Sequence, residues 1–84
     1  MNPPLTYDEL ASLIKNLVGI TVEPSELAHP NATFDAFGVD SLGLLGIAGE
    51  LQNRYGTPIA QGAEMSRTPR EFLDAVNESV KAGA

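Results

Sequence analysis

The sequence predicts an all-α fold: a small bundle of three long helices and one short one, with a long first loop. Three observations predict it. Helix-start chemistry, Thr-x-x-Glu twice and Asp-Ser once, precedes three runs of apolar residues at helical spacing. Glycine follows the first two runs, where a left-handed residue ends a helix at no steric cost. No stretch alternates apolar and polar residues as a half-buried strand does.

The first helix opens at "TYDE", with Thr6 as N-cap and Glu9 completing a capping box. Leu10, Leu13, Ile14, Leu17 and Val18 form its apolar stripe, and Gly19 stops it. From Gly19 to Val39 no period is sustained, and Pro24 and Pro30 interrupt the chain. Val22, Leu27, Phe34 and Phe37 recur there as anchors to the core, and "PSEL" has the composition of a short turn. A connection that long in a small domain is usually functional or hides a turn.

The second long helix runs from about Asp40, its N-cap, to Tyr55, with Gly56 as its stop and Pro58 preventing resumption. Leu44, Ile47, Ala48, Leu51 and Tyr55 fall on one side as a core stripe. A short helix is expected around Gly62 to Met65. The last helix opens at "TPRE": Thr68 caps, Pro69 takes the first helical position, and Glu71 closes a second box. Phe72, Leu73, Val76 and Val80 form its stripe.

Composition narrows the function. At 84 residues the chain, 1–84, is expected to be one domain with an ordered core over about 5–82. It has no cysteine and one histidine, His29, so neither a disulfide framework nor a thiolate metal site is available and no metal is expected. The net charge of −6 disfavours nucleic acid and anionic membrane surfaces and favours basic partners. "MNPPLTYDEL" has neither a basic region nor an apolar run, so no signal peptide is expected, and the chain is expected to be a cytoplasmic monomer.

The second helix carries the informative anomalies. Leu42 points almost opposite the core stripe, with Gly46, Gly49 and Asn53 on its side and Leu45 on the flank towards Ser41. Gly43, Gly46 and Gly49 each cost about 1 kcal/mol against alanine, a cost that close approach of another molecule would explain. Ser41 stands at the first helical position, where the dipole and unpaired amides favour an anion such as a phosphodiester. On its own, Asp-Ser is also ordinary helix-start chemistry. A hydrolytic role for Ser41 is disfavoured, because "VDSLG" lacks the first glycine of a nucleophile elbow and His29 is the sole available base.

"FGVDSLGLLGIAGELQNRYG" resembles the core of carrier proteins, in which Asp-Ser-Leu opens the second helix. "RTPREFLDAVN" is similar to the last-helix opening of acyl carrier proteins from type II, aromatic polyketide synthases. The resemblance covers nearly the whole chain and implies the carrier-protein four-helix bundle. It implies 4′-phosphopantetheine, delivered from coenzyme A, as a covalent cofactor on Ser41, with Asp40 read by the phosphopantetheinyl transferase. It implies a discrete carrier that tethers malonyl units and the growing polyketide chain as thioesters and catalyses nothing itself. Leu42, Leu45, Gly46 and Gly49 then become a partner-docking surface. Leu42, Arg70 and Asn77 become acyl-chain contacts in a cleft between the second helix and the last. The implied partners are the transferase, a malonyl-CoA acyltransferase, a ketosynthase with its chain length factor, and a ketoreductase or cyclases.

One departure is informative. Gly46, Gln52 and Asn53 stand where fatty acid carriers frequently have carboxylates, and the helix keeps only Glu50 and Arg54, spaced to pair. That argues for partners recognising shape more than charge. The alternatives are a fatty acid carrier or, in another class, an unmodified α-helical adaptor using the Leu42 face. A peptidyl carrier is disfavoured, since its motif usually has histidine before the serine.

Overall fold

Each long helix begins where a side-chain oxygen captures a backbone amide. The computed structural model describes residues 4–82. Its elements in chain order are α1 (Tyr7–Leu17), α2 (Pro24–Leu27), α3 (Phe34–Phe37), α4 (Ser41–Tyr55), a 3-10 turn (Ala63–Met65) and α5 (Pro69–Ala82). Thr6 Oγ1 accepts from Glu9 N at 3.2 Å, Asp40 Oδ1 from Gly43 N at 2.9 Å, and Thr68 Oγ1 from Glu71 N at 3.1 Å. The glutamates act differently from a reciprocal box. The Thr6 hydroxyl donates to Glu9 Oε1 at 3.3 Å and that of Thr68 to Glu71 Oε1 at 3.1 Å, so each carboxylate steadies the capping hydroxyl. Gly19 and Gly56, the expected stops, both have left-handed backbone.

The first connection is more structured than a loop with one turn. It holds two one-turn helices. In α2, Pro24 occupies the first helical position and Glu23 N donates to Glu26 Oε1 at 3.1 Å. In α3, Thr33 Oγ1 accepts from Ala36 N at 3.3 Å. Four residues are too few for a helical period to be visible in sequence. The short helix expected near Gly62 is the 3-10 turn.

Leu10, Ile14, Ile47, Leu51, Phe72 and Val76 are wholly buried, and they join the three long helices in one apolar cluster. Val22, Leu27 and Phe34 bring the first connection onto it, with Phe34 packed edge-on against Phe72 (centroids 6.0 Å apart, planes at 89°). Leu17 departs from its expected stripe and is half exposed, because α1 ends there. Tyr55, Leu73 and Phe37 are half-buried rather than core.

Irregular segments are tied to the helices by side chains. Leu5, buried ahead of α1, donates its N–H to Asn77 Oδ1 at 2.6 Å, while Asn77 Nδ2 donates to Leu5 O at 3.2 Å. Ala60 N donates to Ser79 Oγ at 2.8 Å and Ile59 N to Gln52 Oε1 at 3.0 Å. Phe34 N donates to Arg67 O at 2.9 Å, fastening α3 to the segment that leads into α5. Buried backbone needs such partners wherever regular structure supplies none.

Candidate functional site

The site is built around a chain reversal. Gly38 caps α3 with φ +79°, a conformation that a side chain would strain, and turns the chain so that Val39 enters the core while Asp40 and Ser41 face solvent. Asp40 then starts α4. Its carboxylate takes up the Gly43 amide, and the amides of Ser41 and Leu42 remain for an anion placed at the helix tip. Ser41 is exposed at that tip. An anionic group esterified to it would lie in the favourable end of the dipole of a 15-residue helix.

The chain has five serines, and the other four are placed differently. Ser79 Oγ donates to Ala75 O and accepts from Ala60 N, both at 2.8 Å, so its hydroxyl is engaged. Ser12 lies inside α1, Ser25 within the one-turn α2, and Ser66 after the 3-10 turn. Only Ser41 opens a long helix.

A cleft of about 680 Å³ adjoins Ser41. Phe34, Val39, Leu44 and Met65 give it apolar surface, and Thr33, Ser66 and Arg67 give it polar groups. Asp35, Asp40 and Glu64 also line it. It lies between α3, the first turn of α4 and the 3-10 turn. Neither Arg70 nor Asn77 lines this cleft. Arg70 is exposed on the first turn of α5, and Asn77 uses both ends of its amide on Leu5. The cation at the cleft is Arg67, which sequence reasoning missed. Its closeness to Ser41 follows from the Phe34–Arg67 backbone bond, a pairing that no motif announces.

The outer face of α4 is apolar and bare. Leu42 is 74% exposed and Leu45 53%. A Cβ placed on Gly46 or Gly49 would meet nothing within 4 Å among the described residues. Gly43 differs: its Cβ would lie 3.2 Å from Val18 Cγ2, so that glycine admits the end of α1. Glu50 and Arg54 pair across one turn at 3.4 Å, leaving the face nearly neutral.

His29 stands apart from Ser41. It lines a separate depression with Ser25, Glu26 and Phe37, and its Nδ1 accepts from Asn31 N at 3.1 Å. His29 and Ser41 line different depressions, so His29 is not placed to act as a base for Ser41. Among the described residues no three His, Asp or Glu side chains gather as a metal site, and no helix is long and apolar enough to cross a membrane.

Comparison with known proteins gives a consistent picture. The phosphopantetheine attachment site family matches residues 8–76. The chain is 46% identical over 80 residues to the curamycin polyketide synthase acyl carrier protein of Streptomyces cyaneus, covering 95% of this chain and 92% of that one. It is 34% identical over 83 residues to the actinorhodin polyketide synthase acyl carrier protein of Streptomyces coelicolor, covering 95% of each. Among solved structures it is similar to the actinorhodin holo acyl carrier protein from S. coelicolor, with TM-score 0.78, 30% identity and full coverage of both chains.

Proposed function

The chain belongs to the acyl carrier proteins, within the phosphopantetheine attachment family, and on that premise we propose that Ser41 is the attachment residue. A protein of this family is a carrier and not a catalyst. The observation that carries the assignment is the exposed Ser41 at the first position of α4, with Asp40 capping the helix behind it. The tip fits the group: two helix-start amides and the dipole favour the phosphodiester, and the adjoining cleft offers room for the pantetheine arm and its cargo. When bound, 4′-phosphopantetheine supplies the thiol that this cysteine-free chain lacks, holding acyl groups as thioesters. Asp40 holds the attachment turn in register and presents a carboxylate to the transferase.

The cargo is malonyl units and a growing polyketide chain, a reading supported by the kind of relative the chain resembles. Leu42, Leu45, Gly46 and Gly49 form the docking face. Its two exposed leucines supply apolar contact, and the bare glycines let a partner approach the helix backbone. The partners are a phosphopantetheinyl transferase, a malonyl-CoA acyltransferase, a ketosynthase with its chain length factor, and a ketoreductase or cyclases. The protein works as a cytoplasmic monomer, one carrier domain over about residues 5–82. Its charge of −6 keeps it from nucleic acid and anionic membranes.

Incubation with coenzyme A and a broad-specificity phosphopantetheinyl transferase tests the proposal. Intact-protein mass spectrometry is expected to show one added phosphopantetheinyl group on the wild type and none on Ser41→Ala. An unchanged wild-type mass rules the proposal out.

A further inference from the structure

We infer that Val18 is a positioning residue for Ser41: together with Ile20 it braces the tip of α4 on the side opposite the cleft and so holds the serine where a partner enzyme reaches it. The inference rests on the carrier function proposed for Ser41 and names what in this chain fixes that serine's place.

Two glycines bracket the Asp40–Ser41 pair, and the chain leaving α1 passes against both. A Cβ on Gly43 would lie 3.2 Å from Val18 Cγ2, closer than side chains ordinarily pack. A Cβ on Gly38 would lie 3.7 Å from Ile20 Cδ1, an ordinary contact. Val18 and Ile20 are each partly buried and packed on the core cluster. Further along α4, a Cβ on Gly46 or Gly49 would meet nothing within 4 Å among the described residues. Within this helix the close approach is thus confined to the turn that carries Ser41.

The brace is stiff. Val18 N donates to Ile14 O at 2.9 Å and Gly19 N to Lys15 O at 3.1 Å, so Val18 sits on the hydrogen-bonded end of α1. Both Val18 and Ile20 are β-branched, with little freedom about χ1. The opposite flank is open. Residues two apart on a helix point about 200° apart, so Gly43 faces away from the Ser41 side, where the cleft of about 680 Å³ lies. Val39 and Leu44 hold the turn down to the core, but sideways it meets Val18 on one flank and the cleft on the other. Removing the brace frees the tip to shift, and only the correctly placed fraction engages a partner. That raises the concentration of carrier a partner needs without slowing turnover once the carrier is bound.

In the test, the full chain is offered to a broad-specificity phosphopantetheinyl transferase with coenzyme A in excess, and KM for the carrier and kcat are measured. Val18→Ala is expected to raise KM about fivefold at unchanged kcat, and Ile20→Val, which removes only Cδ1, about twofold. Adding Gly43→Ala to Val18→Ala returns a methyl to the vacated space and should bring KM back to within about twofold of wild type. Val80→Ala, a core truncation in the last turn of α5, should lower the melting midpoint and leave KM unchanged. Well below that midpoint the unfolded fraction is too small to move KM. The Leu44 amide, which donates to Asp40 O at 3.1 Å, is followed by hydrogen exchange, and its protection should fall and recover with the same variants.

Unchanged KM in both Val18→Ala and Ile20→Val overturns the inference, as does a loss that falls on kcat or a KM raised equally by Val80→Ala. A Gly43→Ala addition that fails to restore KM overturns it too, since Val18 then touches the enzyme itself. If the wild type gains no mass, it is the carrier function that fails, and the Leu44 exchange alone then decides whether the brace exists.

Discussion

Ser41 owes its exposure to its neighbours in the chain. Val39 plunges into the core, Asp40 caps, and the serine is carried outward on the first turn. Asn77 shows how differently a single residue can be used from what a family pattern implies. Its amide closes a two-bond bridge to Leu5, whose backbone is otherwise unsatisfied ahead of α1. Asn77→Ala is therefore expected to cost about 1–3 kcal/mol, read as a lower urea midpoint at unchanged slope; a midpoint equal to wild type contradicts that role. Tyr55 makes a second residue-scale case. Burial raises its phenol above the ordinary 10.0, and the nearby Glu9 charge adds to the rise. A phenol whose pKa rises on folding stabilises the fold while protonated. That contribution is complete below the unfolded pKa and is lost as pH climbs through the folded one. With Tyr7 replaced by Phe, an absorbance titration should place Tyr55 ionisation above 10.0.

At the scale of elements, α4 serves two surfaces at once. Its inner stripe of Leu44, Ile47, Ala48 and Leu51 builds the core, and its outer face holds Leu42, Leu45 and two open glycines. Gly46→Ala should stabilise the protein by about 0.5–1 kcal/mol, the helix-interior difference between the two residues. Gly43→Ala should gain less, because Val18 must yield at 3.2 Å. Thermal melts decide the order. Leu42→Ala should leave stability nearly unchanged yet weaken ketosynthase binding about tenfold, as loss of an interface anchor does. Equal binding would remove Leu42 from the docking face. The three long helices were legible in sequence because caps and stripes repeat over many residues. Of the two one-turn helices, α2 was marked by "PSEL" as a turn but α3 was not, since a single turn has no period; Leu17 was misassigned because a stripe does not reveal where a helix ends. The cleft was hidden for another reason. It depends on α3 and on a backbone bond between Phe34 and Arg67, residues far apart in the chain.

For the whole molecule, charge and docking separate. The chain carries −6, yet the face of α4 contributes one exposed ion pair worth little by itself. If α4 is the docking face proposed above, long-range attraction would guide encounter and contact at α4 would be apolar. Raising ionic strength should slow association with a ketosynthase partner and leave dissociation nearly constant; a dissociation rate that rises steeply with salt contradicts a neutral docking face. The bundle's role is to keep one hydroxyl outside and one cleft beside it. Fragmentation mass spectrometry of the modified protein, locating the added group among the five serines, tests that most directly. The group is predicted on Ser41 alone; its appearance on Ser12, Ser25, Ser66 or Ser79 would contradict the assignment.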